Sequence, residues 1–489
     1  MARALMLQGT GSDVGKTVLV AGLCRLARNR GYEVRPFKPQ NMSNNAAVAS
    51  IPGSAEEGEI GRGQWLQALA CKVAPTVHMN PVLLKPQSEK GSQIILQGRA
   101  VGQAEARDYQ RRKGELLDAV MVSWETIRRE ADLVIVEGAG SPAEINLRQG
   151  DIANMGFATR AEVPVVLIGD IDRGGVIASL VGTHAILPES DRRMIAGYLI
   201  NKFRGDVSLF DDGLEAVTRF TGWRSFGVVP WLKDASALPA EDSVVLERLV
   251  AGGGKALKVA VPVLDRIANF DDFDPLKAEP SVEVVFVRSG EHLPKDAALV
   301  IIPGSKSTIG DLLRFRENGW DKDLSEHRKA GGHVIGICGG YQMLGRAVYD
   351  PDGIEGAVHE AQGLGLLDVE TVMEPEKTVR TAAAHSLRFD TPLEGYEIHL
   401  GKTTGPDRQR PVTLLNDIEE GATSADGRVF GTYMHGIFGA DAFRRKLLAE
   451  LGVKDGGGNY RANLEAALDR IASALEAHID YDALFAAAR

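Results

Sequence analysis

Short strand-like runs recur through the first half of the chain at 4–7, 33–35, 133–136, 165–168, 196–200 and 225–229, separated by longer stretches with helical spacing. This alternation predicts an α/β unit with a mainly parallel sheet and flanking helices, because parallel neighbours need a crossover of a dozen or more residues. A second series begins at 258–263 and continues at 282–287, 298–302 and 333–337 in the same rhythm, so two such domains are expected. Between the series, Gly252-Gly253-Gly254 follows a helical stretch that three glycines cannot extend cheaply. The spacing therefore predicts a domain at 1–245, a linker at 246–257 and a second domain at 258–489. Near the end, Leu464, Leu468, Ile471 and Leu475 share one helical face and predict an amphipathic closing helix over about 463–488, assigned to the second domain.

With 489 residues, 44% hydrophobic and 25% charged, the chain can bury more than one core. Its formal net charge of -10 argues against broad nucleic-acid binding, so an anionic substrate would need a local basic pocket. Cys24, Cys71 and Cys338 are too few and too scattered for a disulfide framework or a paired-cysteine zinc site. No leader-like segment is expected before the first strand and no apolar stretch approaches membrane-spanning length. A protein of the reducing cytoplasm is expected, with neither nucleic-acid nor membrane partners and with a homo-oligomer left open.

The first chemical motif is Gly9-Thr10-Gly11-Ser12-Asp13-Val14-Gly15-Lys16-Thr17, between a strand and a helix. It departs from G-x-x-x-x-G-K-[ST] because its first glycine stands one residue early. The physics of a phosphate loop survives that shift. Backbone N–H groups near Gly11, Asp13 and Gly15 can face phosphate oxygens, Lys16 can reach the outer phosphates, and Thr17 can ligate magnesium at a helix N-terminus. The run 133–136 ends in Glu137, a candidate second metal contact, and Asn201 at another strand end is a candidate for reading a nucleotide base, or simply a turn asparagine. This loop, with Lys38-Pro39 and Glu137-Gly138-Ala139-Gly140, resembles dethiobiotin synthetase and its relatives. The resemblance implies ATP-dependent activation of a carboxylate as an acyl phosphate, with Lys38 helping to neutralise the transferring phosphoryl group.

A second chemistry is written into Gly336-Ile337-Cys338-Gly339-Gly340, a G-x-C-x-G turn after an apolar run. Such a turn lifts the cysteine off the sheet edge and sets backbone N–H groups beside it, marking Cys338 as a nucleophile. His435 ends another strand-like run and is the candidate base. The Gly339 amide and the turn at Gly304-Ser305 are the candidate oxyanion donors. The cysteine-then-histidine order and the Pro303-Gly304-Ser305 turn resemble the class I glutamine amidotransferase domain. That family usually carries a glutamate two residues after the histidine, and here Ile437 stands there. Another group would have to orient His435, or the pair would work as a dyad.

Both resemblances in one chain narrow the field to the cobalamin-pathway amidases. Asn41-Met42-Ser43-Asn44-Asn45, Pro303-Gly304-Ser305-Lys306-Ser307-Thr308 and Gly395-Tyr396-Glu397-Ile398-His399 carry that likeness. It implies ATP-, magnesium- and glutamine-dependent amidation of the b, d, e and g carboxylates of adenosylcobyrinic acid a,c-diamide, with Asn41, Ser43, Asn44 and Asn45 at the corrinoid. Turn-forming Asn and Ser would equally suit a structural loop. The a,c-diamide synthase of the pathway is the nearest alternative. A ParA- or MinD-like ATPase switch with an inactive second module is a more distant one.

Overall fold

A computed structural model describes residues 2–87, 91–241, 257–453 and 457–489. The expected linker lies outside the described residues except for Leu257, which opens a strand. In the first half, six strands lie in the order Arg224–Pro230, Ile195–Phe203, Val165–Asp170, Arg3–Gly9, Leu133–Glu137 and Val34–Phe37. Every neighbouring pair is parallel. Strand geometry sends alternate side chains to opposite faces. Leu5, Leu7, Ile135 and Ile168 accordingly join one apolar core, and Ala4, Met6, Val136 and Leu167 join the other.

The closing helix packs differently from its expected assignment. Tyr460–His478 lies against the helix Lys16–Asn29, and Leu464, Leu468, Ile471 and Leu475 complete the core formed by Leu5, Leu7, Leu19 and Leu23. The first sheet and the helix Lys16–Asn29 together supply the partner for its apolar face. Burial of each large aliphatic side chain contributes about 1.5–3 kcal/mol to that docking. The helix is also shorter than 463–488 suggests. It breaks at Ile479, which bridges to Gly227, and Asp480 caps a further short helix, Tyr481–Ala486. The last residue, Arg489, then exchanges backbone hydrogen bonds with Ala4 of the first strand.

The second half holds a sheet in the order Val282–Val287, Leu257–Pro262, Leu299–Ile302, His333–Ile337 and Val429–Thr432, all parallel, closed by an antiparallel edge at Ala422–Thr423. Both halves therefore have the expected α/β architecture. Periodicity did not predict several smaller sheets. One of them, built from Gln40–Met42, Val82–Pro86, Gly91–Leu96 and Arg99–Glu105, stands between the two halves. Leu84 and Ile94 line a large cavity on one of its faces. Leu83 and Ile95 pack on the other against Tyr396 and Ile398 of the second half. Among the described residues no helix is long and apolar enough to cross a membrane.

Candidate active site

The phosphate loop sits at the carboxyl end of the central strand, where open parallel sheets place ligands. Thr17 Oγ1 lies 2.8 Å from Glu137 Oε1 and 2.5 Å from Glu241 Oε2, with one hydroxyl proton shared between the two carboxylates. Lys38 Nζ reaches the same two carboxylates at 3.0 and 2.6 Å. Burial alone would lower Lys38, but Glu137 and Glu241 outweigh it and raise the ammonium pKa. Burial alone would raise Glu241, but Lys38 outweighs it and holds the carboxyl below its ordinary value. Lys16 Nζ crosses the loop to the Gly11 and Gly140 carbonyls at 3.3 and 3.1 Å, and burial lowers its pKa despite Glu137 nearby. Gln67 Nε2 holds the other oxygen of Glu137 at 2.5 Å. Thr17, Glu137 and Glu241 are hard oxygen donors suited to a cation of the magnesium type. Among the described residues no larger cluster of His, Cys, Asp or Glu has metal-holding geometry. An ion here would thus retain waters or phosphate oxygens in its shell.

These residues open onto a cavity of about 1100 Å³. Asp13, Gly15, Lys16, Thr17, Lys38, Asn41 and Glu137 all line it, with Tyr109, Arg148 and Lys202 farther along its wall. Four other expected site residues are placed differently. Asn201 is at the loop, but its amide nitrogen donates to the Val14 carbonyl at 2.8 Å, supporting the loop backbone instead of facing a base. Ser43 and Asn45 are buried away from the cavity: Ser43 Oγ donates to the Glu241 carbonyl at 2.8 Å, and Asn45 Nδ2 donates to the Ala240 carbonyl at 3.1 Å. Asn44 does not line the cavity either.

Cys338 ends the strand His333–Ile337 and starts the helix Gly339–Leu344 with φ 51° and ψ -111°, a strained backbone that holds its side chain out of the sheet. The close packing under this elbow requires glycine at 340, where a Cβ would meet the Ile302 carbonyl at 2.0 Å. The turn at Gly304 abuts the same spot: a Cβ there would lie 3.2 Å from His435 Cε1 and 3.7 Å from Cys338 Cβ. The Ser305 backbone nitrogen lies beside Gly339, so both expected oxyanion segments converge on the cysteine.

Asp272 completes the group. Its Oδ2 accepts from His435 Nδ1 at 2.7 Å and its Oδ1 accepts from the Gly436 amide at 2.7 Å, all within buried surroundings. The Nε2 side of the imidazole is left for Cys338. Burial opposes the imidazolium, but Asp272 and Cys338 outweigh it and push His435 up to about 10. Tyr396 stacks on the imidazole with ring centres 5.2 Å apart, fixing its plane. Asp272 lies in the turn Phe270–Phe273, far from His435 in sequence but tied to the first half through Asn45, whose Oδ1 accepts from the Phe270 amide at 3.1 Å. Arg62 reaches the neighbouring Asp271 at 2.8 Å.

Against known proteins, residues 5–245 match the CobQ/CobB/MinD/ParA nucleotide binding domain and residues 258–443 match the CobB/CobQ-like glutamine amidotransferase domain. Over 491 residues, covering 100% of both chains, the sequence is 74% identical to the cobyric acid synthase of Mesorhizobium japonicum. The chain belongs to the cobyric acid synthase family. It is likewise 68% identical over 488 residues to the Brucella suis enzyme and 70% identical over 480 residues to that of Sinorhizobium fredii, with coverage of 98% or more in each case. The family matches end at 443, so the helix that completes the first core, Tyr460–His478, lies beyond both.

Two polar residues of this family member escaped sequence reasoning. Glu241 had no motif around it. Asp272 stood in the acidic run Asp271-Asp272-Phe273-Asp274, where spacing could not show which carboxylate meets the histidine. Replacing Asp272 by Asn is expected to lower glutamine-driven turnover by about a hundredfold or more, by analogy with orienting carboxylates of catalytic triads. With the raised pKa of His435, the imidazolium persists below about pH 10 and is lost above it. Removing the carboxylate moves that alkaline limb toward neutral pH, which a pH profile of glutamate release would measure.

Proposed function

We propose that this chain is a cytoplasmic ligase that uses ATP, magnesium and glutamine to amidate the b, d, e and g carboxylates of adenosylcobyrinic acid a,c-diamide through acyl phosphates. The observation that carries the reading is the pairing of a Cys338–His435–Asp272 centre with the Thr17–Lys38–Glu137–Glu241 centre on opposite sides of one interdomain sheet. Family membership supplies the substrate class.

The Cys338 thiolate adds to the carboxamide carbon of glutamine, while the Gly339 and Ser305 amides receive the developing oxyanion. His435 delivers its Nε2 proton to the departing nitrogen, the C–N bond breaks, and ammonia leaves a γ-glutamyl thioester. Water then hydrolyses the thioester to glutamate. At the other centre a corrinoid carboxylate oxygen takes the γ-phosphoryl group of ATP, and ADP leaves. Lys16 and Lys38 neutralise charge that develops on the phosphoryl oxygens, and Thr17 with Glu137 would hold the metal. A bound magnesium ion would supply further charge neutralisation there. Ammonia displaces phosphate from the acyl phosphate to give the amide. The interdomain sheet is the partition that ammonia must cross out of contact with bulk water.

The decisive assay is purified protein with ATP, magnesium, glutamine and a panel of corrinoid acids, read by product mass. Four added amides on the a,c-diamide, and none on a corrinoid lacking free b, d, e and g carboxylates, is the expected result. Amidation at the a and c positions alone would overturn this choice of substrate.

A further inference from the structure

The sheet between the two centres carries a second polar cluster on its amidotransferase side. Lys85 and Gln93 oppose each other on neighbouring strands, on the same face as Leu83 and Ile95. Lys85 and Lys377 pair with different oxygens of Glu59, and Lys377 also donates to Gln93 Oε1 at 3.3 Å. Lys85 and Glu59 are fully buried, and Lys377 is 10% exposed. Lys306 joins them from the second half, near enough that the charges of Lys85 and Lys377 act on its ammonium. It directly follows Gly304-Ser305, the turn that abuts Cys338 and His435, and the charge of Cys338 acts on it.

Three ammonium groups here share one carboxylate among the described residues, and Lys306 has no carboxylate partner of its own among them. Burial and the neighbouring lysines lower Lys306 and Lys377 to about 8 each. Like charges gathered in a low-dielectric interior are costly unless an anion joins them. The anions of the ATP centre lie on the other face of the sheet, where Leu84, Pro86, Ser92 and Ile94 line the large cavity. The cysteine side instead receives an amino acid. In an extended glutamine the α-carboxylate lies about 5 Å from the carboxamide carbon by ordinary bond lengths, a span that suits a cation two residues beyond Gly304.

We propose that Lys306 and Lys377 receive the α-carboxylate of the donor glutamine while its carboxamide lies against Cys338. Glu59 and Gln93 then act as positioning residues that fix the Lys377 ammonium. The assignment rests on glutamine being the substrate of the Cys338 centre. Its test compares glutamine with glutaminamide, in which the α-carboxylate is replaced by an uncharged amide, as substrates for deamidation by the full-length protein and by Lys306→Met and Lys377→Met. The ratio of kcat/KM values within one variant does not depend on how much of it is folded. The unaltered protein is expected to prefer glutamine, and each substitution to reduce that preference about 10- to 100-fold, the effect of losing one charged hydrogen bond. The loss should appear mainly as a higher KM for glutamine, with Lys306→Arg restoring part of it. An unchanged preference in both methionine variants would overturn this assignment alone. Absence of glutamine deamidation in the unaltered protein would overturn the reading of the Cys338 centre as well.

Discussion

Cys338→Ala is expected to lower glutamine-driven amidation by roughly a thousandfold or more and to leave amidation driven by added ammonium. Loss of a nucleophile that acts as a unit with its base removes nearly all the covalent catalysis, because His435 and Asp272 have no second acceptor to activate. The replacement is small, and Cys338 is 7% exposed and packed beside Gly304 and the Ile398 carbonyl, so the local cavity is minor. Ammonium-driven turnover is the internal control: it requires the phosphate-loop centre but no thiolate. If added ammonium fails to restore amide formation in a folded Cys338→Ala protein, the division of labour between the two halves is wrong. The measurement is amide formation by product mass with each nitrogen source.

Lys16→Ala is expected to fail with both nitrogen sources, by roughly 10²- to 10³-fold, the scale of removing one preorganised charge donor from a site of developing negative charge. Two effects compete. Removing Lys16 takes away a buried cation whose pKa burial already lowers, which relieves the unliganded protein, although the Gly11 and Gly140 carbonyls lose their donor. The loss of charge against the phosphates is larger, since Lys38 shares its charge with Glu137 and Glu241 and can offset only part of it. Glutamate release at Cys338 should persist at a basal level, because Lys16 touches no residue of that centre. Normal ammonium-driven amidation by this variant would remove the phosphate loop from the reaction.

Much of this was legible because the signals were local. The phosphate loop needs a strand, a run of small residues, a lysine and a helix in immediate succession, and residues 4–26 contain that order. The cysteine elbow similarly lies within eight residues of its strand. Failure began where partners are remote in sequence. Asp272 meets His435 across 163 positions, and Glu241 meets Thr17 across 224. Asn41, Ser43, Asn44 and Asn45 looked alike as a polar turn, yet only Asn41 lines the cavity. Ser43 and Asn45 instead fasten the turn to residues 240–241, and Asn45 also holds the Phe270 amide. Composition cannot distinguish an amide that binds a ligand from one that satisfies a buried carbonyl, since both need the same donor.

The closing helix shows the same division at the scale of the fold. Its apolar stripe, Leu464, Leu468, Ile471 and Leu475, was plain in the sequence, as were the two α/β rhythms, the phosphate loop and the cysteine elbow. Periodicity states that a face must be buried but not against what, because hydrophobic burial is non-directional. Tertiary structure decided that this stripe covers the helix following Lys16 and Thr17. It also decided that Asp272 orients His435, and that a small mixed sheet separates the two centres. Those are contacts between distant segments, selected by the shape of the whole folded chain.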